Sequence, residues 1–205
     1  MTPPRRYDLV PGRVLAGQYV VESQLGRGYE GEVYLVRERL TGAQRAAKIF
    51  YPDRNPHNNA ATHYAKKLER LRDCPILIQY HHAIQIQLRS MPVSVLISEF
   101  VQGMLLSDIL AQYKNKRMPA HEALVLIRTI TAGLATLHEK REYHGDLHAG
   151  NVLVRRAGCT SMSSSWTCTI VDAPTGSTSS RMSATSPASS TTSSAGARST
   201  RPSPM

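Results

Sequence analysis

Cysteine is sparse in this chain. Cys74, Cys159 and Cys168 are the whole complement, and their spacing matches no metal-binding or redox pattern. An odd, scattered set excludes a disulfide framework and fits a reducing cytosol. Long apolar runs are also missing, and none approaches the length needed to span a bilayer. The first residues, including Pro3, Pro4, Arg5 and Arg6, are not followed by the apolar stretch of a signal peptide. A soluble, cytoplasmic protein with no membrane span is expected. Acidic residues are in deficit: 15 Asp and Glu against 25 Lys and Arg give a formal charge of +10. Such a balance suits nucleic acid, a membrane surface or a polyphosphate ligand, since each carries negative charge. No basic run is interleaved with aromatics, so nucleic acid is not an expected partner. At 41% hydrophobic and 20% charged over 205 residues, the chain can build one good-sized domain or two small lobes.

Three textures follow one another. Short β-like runs at Tyr19-Val20-Val21, Val33-Tyr34-Leu35-Val36 and Ala46-Ala47-Lys48-Ile49-Phe50 are separated by glycine-bearing turns and predict an antiparallel sheet. Residues 59–71 place Ala61, Ala65, Leu68 and Leu71 at helical spacing, and strand-like runs follow at 76–78, 84–88 and 93–97. One helix therefore interrupts the sheet. Ser107 and Asp108 mark a helix start, and Pro119 opens a long amphipathic pattern through Ala123, Leu126, Ile130, Leu134 and Leu137. After Arg156 roughly half of the residues are Ser or Thr, a composition too poor in apolar surface to offset ordering entropy, so the segment is read as disordered.

The chemistry-bearing residues lie on the first two textures. In Gly26-Arg27-Gly28-Tyr29-Glu30-Gly31-Glu32-Val33, glycines sit between two strand-like runs, not between a strand and a helix. That context points to a hairpin lid over phosphates, with amides free to approach oxygens and Val33 available to pack on an adenine face. Taken alone, a glycine-rich hairpin with no ligand explains the stretch as well. Lys48 ends an apolar run one hairpin later, where its ammonium would neutralise phosphate charge and where a lysine without a partner is costly. The sharpest motif is His144-Gly145-Asp146-Leu147-His148-Ala149-Gly150-Asn151 ahead of Val152-Leu153-Val154. A carboxylate and a carboxamide on one loop before a buried strand can serve as a proton acceptor and a magnesium ligand facing one cleft.

Lid, lysine and loop, in this order, resemble eukaryotic-type (bacterial) serine/threonine protein kinases over residues 19–154. The resemblance implies an α+β, bilobal protein-kinase-like fold: an N-terminal antiparallel sheet with one helix, an incomplete helical C-terminal lobe and a disordered tail. The divisions are 1–18 for an N-terminal extension, 19–101 for the nucleotide-binding lobe, 102–156 for a partial C-terminal lobe with the catalytic loop, and 157–205 for the tail. It further implies that Gly26, Gly28 and Gly31 cover the phosphates and that Lys48 holds them. Val33, Ala46, Glu99 and Val101 would line the adenine site with Ser98 at its gate. Asp146 would be the catalytic base, and Asn151 a ligand for Mg2+ beside ATP. Glu69, the one acid within the 59–71 helix, would orient Lys48, although it lies about a turn nearer the helix end than the family pattern. Asp172, in Ile170-Val171-Asp172-Ala173-Pro174, is the candidate for the second metal ligand, without the phenylalanine and glycine that accompany it in the family. Gly145 replaces the usual arginine, which argues against control by loop phosphorylation, and His148 replaces the usual lysine.

Three functions are compatible with these residues. The first is ATP-dependent phosphoryl transfer to Ser or Thr hydroxyls of a protein, impaired by the loss of the family's second half. The second is a small-molecule phosphotransferase of the aminoglycoside type, which the string His-Gly-Asp-Leu-His also resembles. The third is an ATP-binding pseudokinase that acts as an interaction module. The apolar face of the 123–137 helix would be left partly uncovered in each case. The abrupt change after Ala157 also suggests a shifted reading frame. Trp166-Thr167, read one base earlier, must encode Val, Leu or Met followed by Asp. Translating the gene one base earlier through this region is expected to restore kinase-like sequence, and a result of stop codons and polar repeats would contradict the shift.

Overall fold

A computed structural model describes residues 6–160 and 163–171. The first part is an antiparallel six-stranded sheet built from β1 (Val14–Leu15), β2 (Tyr19–Arg27), β3 (Gly31–Glu38), β4 (Gln44–Phe50), β5 (Tyr80–Leu88) and β6 (Met91–Glu99), in the order β1-β2-β3-β4-β6-β5. Helix α1 (Asn59–Arg70) enters between β4 and β5. The second part holds β7 (Met104–Leu105), α2 (Leu106–Gln112), α3 (Ala120–Glu139), β8 (Val152–Thr160) and β9 (Ser163–Ile170), with the small sheet β7-β8-β9. This is the bilobal α+β arrangement expected, with two helices among the described residues of the second part.

Period-two alternation divides the large sheet into two faces. Tyr34, Val36, Ala47, Ile49, Val93, Val95 and Ile97 are buried on one face and form the main apolar cluster with Tyr7, Leu15 and Tyr19. Val33, Leu35, Ala46 and Lys48 point to the other and stay half-buried, so that face borders an open space. There α1 packs Ala61, Tyr64 and Leu68 against Phe50 and Leu96.

The N-terminal residues are tied down by a buried charge. Glu32 is fully buried and accepts the backbone N–H groups of Tyr7 at 3.0 Å and Asp8 at 3.3 Å, and the Tyr51 hydroxyl at 2.9 Å. The Tyr34 hydroxyl also donates to it, and Arg27 Nε lies 3.3 Å away. A buried carboxylate persists only when its lone pairs are met in this way. The strap it holds, residues 6–15, covers the outer face of the sheet, and the Tyr7 hydroxyl donates to Phe50 O at 2.8 Å.

Three sequence expectations need correction. Residues 76–78 are not a strand of the large sheet but make a single parallel bridge, Leu77 to Ile170, with Ile170 N donating to Ile76 O at 2.6 Å. Ile76 and Leu77 are buried against Leu71, Leu137 and Ile170, so the short apolar run serves as a plug. Position 133 of α3 must be glycine for this contact, since a Cβ there would stand 2.3 Å from Ile76 Cδ1. The boundary at 157 is also displaced: β8 runs on to Thr160 and β9 pairs with it from Ser163. Cys168 and Ile170 are buried between outward-facing threonines, a strand alternation that the Ser/Thr-rich average conceals. The remainder of the expected tail, from Asp172 onward, lies outside the described residues. Finally, α3 has the length and composition of a bilayer-spanning helix. Leu126 and Leu137 are nevertheless packed inside, and Leu124 and Ile127 form the exposed apolar strip expected of this helix.

Replacing Glu32 by Leu leaves three buried donors unmatched, the Tyr7 N–H and the Tyr34 and Tyr51 hydroxyls, and is expected to cost about 3–5 kcal/mol in urea unfolding. A cost below about 1 kcal/mol would contradict its role. Burial, and then the bond to Glu32, raise the Tyr51 phenol from 10.0 to about 12. The fold therefore keeps a proton that the unfolded chain has lost, and stability should be full below pH 10 and fall as pH rises toward 12.

Candidate active site

The lid is the β2–β3 hairpin. Gly28 N donates to Gly31 O at 2.9 Å, closing the turn that carries Tyr29 and Glu30. Gly31 is dictated by packing, because a Cβ there would stand 2.0 Å from Ile49 O. Gly26 and Gly28 face open space, with nothing within 4 Å of a Cβ, which is room for a ligand to approach the backbone. Arg54 secures the tip by stacking 3.9 Å from the centroid of the Tyr29 ring.

Lys48 lies opposite Val33 on β3 and Leu96 on β6. Its ammonium reaches inward to 3.7 Å from Glu30 Oε2, and both side chains are only 11% exposed. The rings of Phe50 and Tyr64 each lie 4.9 Å from Nζ. Glu69 takes no part. It is exposed at the far end of α1 and pairs with Arg72 at 2.7 Å, so the expectation that it orients Lys48 is overturned by helix phase. Tyr64 presents the α1 face that meets the lysine, and the carboxylate comes from the lid. The sequence signal for Glu30 is a carboxylate placed at the tip of the glycine-rich hairpin, between Gly28 and Gly31.

Along the edge of the open face, Ala46 is paired with the buried Ser98. Glu99 then turns the chain out of β6. Its backbone N–H donates to Gln79 O at 2.9 Å, while its carboxylate accepts Gln79 N at 2.8 Å. The side chain and the backbone N–H of Glu99 are thus both committed to Gln79, and half-buried Val101 lies two residues further on.

The loop from His144 to Asn151 is fixed from several sides. Lys67 of α1 donates to His144 O at 3.3 Å, and Asp146 N donates to the buried His144 ring at Nδ1, also 3.3 Å. Asn151 is fully buried; its Nδ2 donates to Asp146 O at 2.7 Å and to Asp146 Oδ2 at 3.1 Å. Asn151 Oδ1 is buried with no hydrogen-bond partner among the described residues. Such an orphan acceptor fits a cation, since an unmet buried carbonyl costs free energy. Val171 N donates to Asn151 O at 2.8 Å, which ties the end of β9 to the loop. Asp172, the next residue in the sequence, lies outside the described residues.

A lid with room for phosphates, a buried ammonium beneath it, and a carboxylate and a carboxamide on the facing loop define a phosphotransferase cleft. The family model described as "Protein kinase domain" matches residues 19–163. This chain belongs to the protein kinase domain family, a family of kinase-like phosphotransferases. It is 30% identical over 148 residues to serine/threonine-protein kinase pkn2 of Myxococcus xanthus, covering 70% of this chain and 17% of that protein. It is 25% identical over 151 residues to human serine/threonine-protein kinase Nek11, covering 71% and 23% respectively. Among solved structures, the Mycobacterium tuberculosis PknI kinase domain superposes with a TM-score of 0.59 at 21% identity, over 80% of this chain and 62% of that one. At that identity the likeness speaks for the fold. The chain spans between about a sixth and a quarter of the length of these two curated relatives.

Proposed function

We propose that this chain binds ATP with Mg2+ between its lobes and transfers the γ-phosphoryl group to a serine or threonine hydroxyl of a protein substrate. The observation that carries the reading is the split carboxamide of Asn151, whose nitrogen holds Asp146 and whose orphan oxygen is directed away from it. Gly26, Gly28 and Gly31 cover the phosphates in this reading. Lys48 exchanges Glu30 for phosphate oxygens. Val33, Ala46 and Val101 enclose the adenine, with Glu99 at the hinge. Asn151 Oδ1 and Asp172 would hold the metal. Mg2+ would neutralise charge on the phosphates, and phosphate oxygens would complete its shell; among the described residues no group of three or more His, Cys, Asp or Glu side chains could hold a metal unaided.

The substrate hydroxyl oxygen attacks the γ-phosphorus in line, the bond to the β-γ bridging oxygen breaks, and ADP carries away that electron pair. The hydroxyl proton passes to Asp146. Little covalent work is asked of the protein, so positioning and charge neutralisation dominate. ATP and Mg2+ would be drawn from the cytoplasm, the proposed location.

Transfer from γ-labelled ATP should proceed to a mixed protein substrate and not to aminoglycosides. Asp146→Asn should reduce kcat by about 100-fold or more without loss of nucleotide binding. Labelling of aminoglycosides alone would replace the proposed acceptor. Nucleotide binding with no transfer by the wild-type chain would instead favour the pseudokinase.

A further inference from the structure

Two nitrogens converge on a single oxygen of Asp146, one by a hydrogen bond and one by a longer contact. Asn151 Nδ2 lies 3.1 Å and His148 Nε2 3.4 Å from Oδ2, while no hydrogen bond or ion pair among the described residues reaches Oδ1. The His148 ring is itself held, because Gly150 N donates to its Nδ1 at 3.0 Å. A ring nitrogen that accepts a hydrogen bond carries no proton, so in the neutral imidazole the proton sits on Nε2, the nitrogen that faces Asp146. Gly150 makes this possible: a Cβ there would lie 2.9 Å from His148 Cε1 and 3.1 Å from Nδ1. A lysine at position 148 could donate to Asp146 but could not accept the Gly150 amide.

We propose that His148 is a positioning residue: as the Nε2–H tautomer it joins Asn151 in holding Asp146 Oδ2, which leaves Oδ1 as the atom that receives the substrate proton. This assignment rests on the phosphotransfer reading above. His148 does not touch the reacting atoms; it restrains the rotation that would exchange the two oxygens. Its 3.4 Å approach to Asp146 is a contact short of a hydrogen bond and would tighten into one in the substrate complex, as catalytic hydrogen bonds do. Gly150 acts one step further out, by keeping the ring in place.

The test uses the full chain, with long-range 15N–1H spectra of the imidazoles and turnover of saturating ATP. Wild type should show His148 as the Nε2–H tautomer. His148→Leu should lower kcat by roughly 10- to 100-fold with KM for ATP unchanged. His148→Gln should recover most of the loss, because its amide nitrogen can reach where Nε2 stood. Gly150→Ala should reproduce the Leu defect with the histidine still present. Thermal melts of all variants should match, so that a folding defect is recognised. An Nδ1–H tautomer, or a folded His148→Leu protein with wild-type kcat, would overturn the proposal, as would a folded His148→Gln no better than Leu. If wild type turns over no ATP, the functional reading fails, and the tautomer alone still decides how His148 is held.

Discussion

The carboxamide of Asn151 is the constraint around which the cleft is arranged. It is fully buried, so each of its polar atoms must be matched or carry a cost. Its nitrogen spans the backbone and side chain of Asp146, its backbone N–H donates to His148 O at 2.9 Å, and its backbone carbonyl accepts Val171 N at 2.8 Å. Through these bonds the loop, the start of β8 and the end of β9 are held at one point. The buried strand residues Val152 and Val154 and the helices α2 and α3 supply the apolar setting that makes those bonds strong. The oxygen left over is the atom that would meet the cation in the proposed reading.

On the other side of the cleft, two carboxylates on the lid do opposite things. Glu32 faces the outer core and is saturated by the N-terminal strap, two tyrosines and Arg27, which fixes β3 in place. Glu30 faces the cleft and pairs with Lys48, which keeps a buried ammonium neutralised in the absence of phosphate. A ligand with several negative charges competes for the same ammonium and repels the carboxylate. In the proposed reading, nucleotide entry would therefore exchange one ion pair for another and would not create charge in a dry space.

Much of this was legible in the sequence. Glycines between two strands, Lys48 a hairpin later and Asp146 five positions before Asn151 specify the elements and their order, because each residue type is tied to a geometry that few others meet. What could not be read depended on contacts distant in sequence. Glu69 has the right chemistry for Lys48 but the wrong helix phase, whereas Glu30 is set beside the lysine by sheet register. Residues 76–78 look like a strand, since a short buried run reads the same whether it joins a sheet or makes one bridge, as Leu77 does with Ile170. The pairing of β9 with β8 was concealed by threonines, which are frequent both in polar linkers and on the exposed faces of strands. The strap over Glu32 has no local signature, because its donors are backbone amides of residues 7 and 8.

Titration calorimetry of the wild-type chain with ATP, with and without Mg2+, tests the cleft most directly. One-to-one, saturable binding that is strengthened by Mg2+ and weakened by replacing Asn151 with Leu in a folded protein is the result predicted. Absence of binding in a cooperatively melting sample, or binding indifferent to both the metal and Asn151, would contradict the account.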